Sequence, residues 1–505
     1  MSDADVRADA PPGAGTVAGP PSRRRYVPLA VLIGVLITQF AWAWSTPPFR
    51  GADEIDHVFR AAAVARGDVD STRQPADGRG MLVEVPPRLA ADARAQCETL
   101  DYDGPSNCVP DETLPNGDVL IASASAGYSP VFYAVVGTVA KPWDGATSLY
   151  VMRGVASLIT AVLLAIAAWC LMTRSRTGWP LAGLLVALTP MALYTSMLPA
   201  PNGSELAAAA VLWCALLGLQ GADSGVHGRL FAAAGAAGVI LGSVRMTGPV
   251  FILLISVFVV LLDPRRTWQI VRSRWKESLA VAGATLGATL YQLDWAIAHP
   301  PLREAGTERV ALDMPLILEQ VMLWPFQWIG AFPYRNQPAS LLTYVATGAL
   351  LLVVFARGLR RGGAARWVAV GVLATCLVVP FLYTLRTFPE LGTWWQGRYA
   401  LPLLIGAPIV IGVALDRTDH EFWMARWFVP LLGLVSSSAA MIHVVNLELA
   451  RPASADDPHW HAPATIALVL LLTVSAAAFE RALVWAGSPS RSSTRARVVE
   501  ESTAT

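Results

Sequence analysis

Between Val27 and Trp485 the chain is built from long apolar runs separated by short polar stretches. The runs show neither the two-residue alternation of a half-buried strand nor the narrow apolar stripe of a surface helix. Repeated runs of about 18 or more apolar residues mark membrane-crossing helices. They predict spans at 27–45, 148–172, 179–200, 205–221, 229–246, 249–262, 278–298, 339–357, 366–387, 399–415, 427–446 and 463–486. That makes about twelve helices at roughly 20 residues per crossing. The 249–262 span is short, so its hairpin with 229–246 need not cross fully. The expected fold is an all-α polytopic membrane protein. A β-barrel is excluded, because barrel strands alternate in polarity whereas these runs are continuous and interspersed with proline and glycine.

The polar stretches divide by charge. Arg23–Arg25, Arg174, Arg176, the 265–276 cluster, the 357–366 cluster, Arg417, Arg426 and the arginines at 491–497 all fall on one side of the alternation. The positive-inside rule makes that side cytoplasmic, with both termini on it. Residues 1–25 and 488–505 have the low hydrophobicity of disordered tails, leaving 26–487 as one transmembrane domain. Ala41-Trp42-Ala43 imitates a signal-peptidase site, but the long leading segment and full-length span favour an uncleaved anchor.

On the opposite side lies a loop spanning 46–147, up to the second span. Its polar part, Thr46 to Gly127, carries fourteen acidic residues against seven arginines, and such a segment is too long to be a mere connector. Outer segments at 299–338 and 388–398 are rich in aromatics, Pro and Arg. No internal repeat relates the two halves. Only 15% of the residues are charged and 54% are hydrophobic, against about 25% charged in soluble domains. A net charge of +1 and the absence of a phosphate-cradling Gly-rich loop argue against a nucleic-acid or nucleotide partner. Lys141 and Lys276 are the only lysines, a bias read as GC-rich codon usage.

The loop opens Pro47-Pro48-Phe49-Arg50-Gly51-Ala52-Asp53-Glu54-Ile55-Asp56-His57-Val58-Phe59-Arg60. Ile55, Val58, Phe59, Ala62 and Ala65 recur at helical spacing, which predicts a short amphipathic helix at the outer membrane surface. Asp53, Glu54 and His57 fall three or four apart and can share one polar face. Such a group of two carboxylates and an imidazole could deprotonate a hydroxyl or hold a divalent cation. Helix capping by Asp53, with Asp56 completing a capping-box-like start, explains the same residues, and the two readings are compatible.

A carboxylate pair just outside the first span, followed by a short helix ending near Gly67-Asp68, resembles the GT-C glycosyltransferases. That clan includes protein O-mannosyltransferases, aminoarabinose transferases and actinobacterial arabinosyltransferases. The chain is most similar to a family of predicted bacterial polytopic membrane proteins whose loop opens Pro-Asp-Glu-x-x-His-x-x-Arg. Tyr128-Ser129-Pro130-Val131-Phe132-Tyr133 looks like the clan's Pro-Pro-Leu-Tyr-Tyr segment, and Arg153 sits where an arginine commonly begins the second span. Gln396-Gly397-Arg398-Tyr399-Ala400-Leu401-Pro402 matches a late Gly-Arg-Tyr-x-Leu-Pro motif. The likeness covers roughly 27–415. It departs in lacking Lys-Pro-Pro-Leu and a soluble carbohydrate-binding domain after the last span.

The resemblance implies transfer of a sugar from a polyprenyl-phosphate donor, at the outer face, to a glycan, lipid or protein acceptor of the cell envelope. Asp53 is then the expected general base, with Glu54 and His57 orienting the acceptor or binding a metal. Arg398, Arg245 and Arg153 are the expected donor-phosphate ligands, since guanidinium grips phosphate bidentately. For Arg398 snorkelling is the plain alternative, and for Arg245 an intramembrane ion pair. Trp394, Trp395, Trp324 and Trp328 are expected at the outer interface, where indoles stack on sugars or form the aromatic belt. Tyr128, Tyr399 and Asn202, the last in a Pro201-Asn202-Gly203-Ser204 turn, complete the substrate residues. No cofactor beyond a divalent cation is implied.

Cys97 and Cys108 fall in the outer loop, where a disulfide is expected; Cys170, Cys214 and Cys376 lie in spans as packing residues. The Asp456-Asp457-Pro458-His459-Trp460-His461 run reads as a polar loop before it reads as a zinc site. The competing function is a transporter or flippase of lipid-linked or small polar substrates. Transporters usually carry internal repeats and a midplane site, whereas the polar residues here gather at one surface. A polymer ligase would carry its Arg/His-rich outer loop late in the chain, and a non-catalytic assembly protein is the remaining alternative.

Overall fold

The computed structural model describes residues 23–75, 80–97, 108–300, 311–334, 336–418 and 422–488. The first half runs α1 (Val27–Ser45), α2 (Glu54–Arg66), α3 (Pro87–Cys97), α4 (Pro130–Ala140), α5 (Gly145–Met172), α6 (Trp179–Ala187), α7 (Pro190–Met197), α8 (Pro201–Gly221), α9 (His227–Val244) and α10 (Gly248–Leu262). The second runs α11 (Pro264–Ser273), α12 (Trp275–Ala298), α13 (Met314–Ile329), α14 (Leu341–Arg361), α15 (Ala364–Leu391), α16 (Leu401–Leu404), α17 (Gly406–Thr418), α18 (Phe422–Leu449), α19 (Pro452–Ala455) and α20 (Thr465–Ala486).

Among the described residues nine helices are long and apolar enough to cross a membrane, or up to eleven when two bent pairs each count as one span. The chain is thus a polytopic helical membrane protein, with fewer qualifying spans than the twelve expected. The 278–298 run does form a helix, α12, but Gln292, Asp294 and its glycines and threonines dilute its apolarity. The expected 179–200 span is broken into α6 and α7, bent by 65°. The cause lies in Leu188-Thr189-Pro190. A residue before proline is pushed out of the helical region, and Thr189 caps the second piece by accepting from the Ala192 N–H at 3.2 Å. Likewise α10 ends at Asp263-Pro264 and α11 leaves it at 110°.

At the centre stands α8, whose Ala207–Ala210 run is wholly buried against α5, α9, α10 and α7. Small residues also let backbones meet closely between α6 and α17. A Cβ on Gly183 would strike the Pro408 carbonyl, and one on Gly412 the Trp179 carbonyl. Without a hydrophobic force between helices in lipid, such close backbone approach is what drives their association. The outermost pair in sequence, α1 and α20, also pack together. Thr38 Oγ1 and Ser475 Oγ lie 2.8 Å apart, and Ser475 donates to Gly34 O at 2.7 Å.

The segment after α1 holds strands as well as the expected helix. It contains an antiparallel sheet of β1 (Met81–Val85), β2 (Glu112–Thr113) and β3 (Val119–Ser123) in the order β1-β3-β2. Met81 pairs with Ser123 and Val85 with Val119. Val83, Val85 and Ile121 share an apolar core with Val58 and Phe59 of α2. On its other side α2 rests on α4 so closely that a Cβ on Gly137 would strike the Ala61 carbonyl. Helix α2 is therefore clamped between sheet and bundle. Cys108 is disulfide-bonded, while its expected partner, the Cys97 side chain, lies outside the described residues. Cys170, Cys214 and Cys376 are buried and free.

The expected tails fall largely outside the described residues. At the edge of the first of them, Arg23–Tyr26 forms a 3-10 turn. Arg24 there donates to the carbonyls of Ser175 (2.7 Å), Arg176 (2.8 Å) and Ser488 (2.8 Å).

Candidate active site

Between α1 and α2 the backbone folds back tightly, and two non-glycine residues take left-handed conformations, Phe49 (φ 62°) and Asp53 (φ 57°). That region costs a side-chain-bearing residue on the order of 1 kcal/mol or more, and Asp and Asn tolerate it best. Asp53 occupies the N-cap position of α2 yet makes no capping hydrogen bond. The expected capping box is not formed, since Asp56 accepts instead from the Ala124 N–H at 2.6 Å. The Asp53 carboxylate is turned towards Arg398, whose Nη2 donates to Oδ2 at 2.5 Å. The Asp53 side chain is 36% exposed and that of Arg398 only 5%.

Asp53, Glu54 and His57 do not share one face. Glu54 turns inward and forms a fully buried bidentate pair with Arg153, both contacts at 2.7 Å. It also accepts from the Gly51 N–H at 2.9 Å. Arg153 spends its other three N–H groups on the carbonyls of Ala43, Thr46 and Pro47. With all five donors engaged and no exposure, Arg153 is not placed to meet a phosphate. The pair instead fixes the chain where it leaves α1.

His57 lies against Tyr133, with Nδ1 2.7 Å from the phenol oxygen and 3.1 Å from Ser125 Oγ. Burial pushes its pKa down to about 3; Asp53 opposes the shift, while Arg245 and Arg398 add to it. The imidazole is therefore neutral near pH 7 and can accept or donate a hydrogen bond without carrying charge. Tyr128, 39% exposed, is hydrogen-bonded to Arg245. Its ring centroid is 5.7 Å from that of His57.

Two cations close the cluster. Arg245 follows the last residue of α9, with Nη1 2.8 Å from Glu205 Oε2, and Thr247 bonds the other oxygen of the same carboxylate at 2.5 Å. Arg398 sits in the 3-10 turn Gly397–Ala400, fixed where the Gly397 N–H donates to Gln327 Oε1 at 2.6 Å. Both guanidiniums lie over the Tyr399 ring, at 5.3 Å and 5.4 Å. Arg398 Nε is buried without a partner among the described residues. Trp394 and Trp395 pack on Tyr399 with centroids 6.1 Å and 5.7 Å away. Trp324, expected at the interface, is instead fully buried in α13, and Trp328 is packed against the main core.

The structure thus gathers Asp53, His57, Tyr128, Arg245, Arg398, Tyr399, Trp394 and Trp395, and sets Glu54 and Arg153 apart as a brace. Asn202 lies not in a turn but in the first turn of α8, whose N1 position Pro201 occupies. Glu54 and His57 have separate partners, and no group of three or more His, Cys, Asp and Glu suited to a metal occurs among the described residues. That includes the 456–461 run, where Trp460 is buried and donates to Trp44 O at 2.9 Å.

Sequence reasoning missed Glu205, although an acid inside an apolar run is a functional signal by itself. It also missed the Arg50–Glu448 pair, fully buried, with contacts of 3.0 and 3.2 Å. Nothing local announced that pair, because its members are 398 residues apart. An exposed carboxylate beside a neutral imidazole and two fixed guanidiniums can accept a proton while binding an anion.

Among known proteins, the family described as predicted membrane protein (DUF2142) matches residues 36–407. The chain belongs to that family of membrane proteins. Two solved structures of ArnT from Cupriavidus metallidurans are similar to it at 12% identity. One, bound to undecaprenyl phosphate, has a TM-score of 0.43 over 89% of this chain and 77% of that one. The other, in the apo state, has a TM-score of 0.45 over 90% and 76%. No curated protein matches the chain.

Proposed function

We propose that this protein is a membrane glycosyltransferase of the GT-C type, moving a sugar from a polyprenyl-phosphate donor to a hydroxyl of a cell-envelope glycan, lipid or protein. The observation that carries the reading is the partly exposed Asp53 carboxylate, held in a left-handed backbone position against Arg398 with Arg245 alongside. In this reading the cluster faces the extracytoplasmic side, opposite the basic clusters, with both termini cytoplasmic.

Asp53 takes the acceptor's hydroxyl proton as the oxygen bonds to the anomeric carbon. The bond from that carbon to the phosphate oxygen breaks, and its electron pair leaves with the lipid phosphate. Arg398 and Arg245 meet the charge that builds there, where fixed donors are worth most. Since Arg398 holds Asp53 in the resting site, the donor phosphate frees the carboxylate as it takes the guanidinium. Neutral His57, fixed through Nδ1 by Tyr133 and Ser125, orients the acceptor with its other nitrogen. Tyr128, Tyr399, Trp394 and Trp395 supply faces and hydroxyls for the sugar. One base and direct displacement give inversion at the anomeric carbon, by analogy with the resembled clan.

The test uses purified protein in detergent with added lipid, a panel of radiolabelled polyprenyl-phosphate sugars and envelope acceptors. Transfer by the wild type and its loss in Asp53→Asn, with the variant still folded and melting only a few degrees lower, are expected. Transfer that survives the substitution refutes Asp53 as the base. One observation favours a transporter instead: the break between α6 and α7, beside a cavity of about 50 Å³ lined by Thr38, Thr189, Ser436 and Ser475. Broken helices line many transporter sites. Donor binding and flipping in liposomes, without label transfer, would establish that reading.

A further inference from the structure

We propose that α11 and the first turn of α12 form a binding surface for anionic phospholipid headgroups. At Asp263-Pro264 the chain turns by 110° off the apolar helix α10, so α11 runs across the bundle rather than along it. Its inner side is anchored. Ile270 is buried, Thr267 Oγ1 accepts from Gln220 Nε2 at 2.9 Å, and Arg274 donates to Ser224 O at 3.3 Å.

Its outer side is not. Arg265, Trp268, Arg272, Trp275 and Lys276 are exposed, the two indoles by 66% and 58%. Arg265, Trp268 and Arg272 are spaced by three and four, which places them on one helical face. The nearby acids are spoken for: Asp263 caps the Arg266 N–H at 2.9 Å and Glu277 pairs with Arg274 at 3.0 Å. Arg265 and Arg272 form no salt bridge among the described residues, while Lys276 stands near the Glu277 charge and over the Trp275 ring at 5.7 Å.

Indoles and unpaired cations together on a helix lying across the spans suit a bilayer surface, where tryptophan sits at headgroup level and arginine and lysine reach anionic phosphates. A nucleic acid would find cations here but not a helix set against an apolar span. The surface is remote from Asp53: it adjoins Ser224 before α9, whereas Arg245 follows that helix's last residue. The 18 residues of α9 separate the two by about 27 Å. The proposal therefore stands whether or not the transferase reading does.

The test titrates the full chain, in a neutral detergent, with short-chain phosphatidylglycerol or phosphatidylcholine. Thermal shift is followed, and bound lipids are counted by native mass spectrometry. The wild type should prefer phosphatidylglycerol, and the preference should fade at high salt. At the worth of one juxtamembrane cation, each of Arg265→Gln, Arg272→Gln and Lys276→Gln should weaken it about fivefold, and the triple variant on the order of a hundredfold. Arg265→Lys/Arg272→Lys should keep it. Equal response to the two lipids, or a triple variant with an undiminished preference, overturns the proposal. If the triple variant does not fold, the single variants decide, and no loss in any of them overturns it equally.

Discussion

Glu54→Gln separates a brace from a base. The Glu54 carboxylate receives two contacts of 2.7 Å from Arg153 and one from the Gly51 N–H, all without exposure. Replacing one carboxylate oxygen by an amide NH2 sets a donor against a guanidinium donor and leaves the Arg153 charge buried and unanswered. Breaking a buried pair by removing one partner costs about 3–5 kcal/mol. At about 2 °C per kcal/mol for larger chains, the melting temperature should fall on the order of 6–10 °C. Asp53→Asn is the matched control. Its carboxylate is 36% exposed while Arg398 is only 5% exposed, so the loss falls between the roughly 1 kcal/mol or less of an exposed pair and the about 3–5 kcal/mol of a buried one. The melting temperature should drop by roughly 2–4 °C, less than in Glu54→Gln. Both variants would be melted in the same detergent by intrinsic fluorescence and assayed for label transfer. A Glu54→Gln protein as stable as wild type but inactive would refute the brace and give Glu54 a chemical role.

Arg398→Lys should keep the charge but lose the planar fork, raising the donor KM about tenfold or more with a smaller change in stability, as steady-state kinetics would show. Glu205→Gln should release Arg245 from its carboxylate and weaken donor binding in the same assay, and unchanged affinity would place Arg245 outside the donor site. His57 has a folded pKa of about 3, below its unfolded value of about 6.5. The unfolded chain therefore binds the extra proton in between, and stability should fall as pH drops from about 6.5 towards 3. A His57→Gln protein should melt with a shallower pH dependence across that window. Gly137→Ala must part α2 from α4 at the Ala61 carbonyl, which should lower turnover more than it lowers the yield of folded protein in detergent.

The membrane fold was legible because apolarity must be sustained along a span whatever its neighbours are. The α6–α7 break was not, since its residues are as apolar as a continuous span, and only Pro190 hinted at it. At the site, the order of motifs and their common side pointed to Asp53, Arg245 and Arg398 long before their contact could be known. Helical spacing misled at Glu54, because it supplies a shared face only if the first residue is itself helical, and Asp53 is left-handed. Capping was a sound inference from residue type, but the type also suits that backbone conformation, and the carboxylate went to Arg398. The loop's sheet was obscured because β2 is only two residues long and β1 and β3 lie far apart in sequence.

The contact between α1 and α20 also has a history in time. Gly34 and Thr38 meet Ser475 across more than 430 residues of chain. At roughly 5–20 residues per second of synthesis, the ribosome takes about 20–90 s to deliver that partner. Throughout that interval the first helix waits in the bilayer with one flank bare and the carbonyl of Gly34 unmet by its final hydroxyl. Helix α20 thus seals α1 only after every other described helix has been made, and until it arrives the nascent bundle stays open along that seam to lipid or to the insertion machinery.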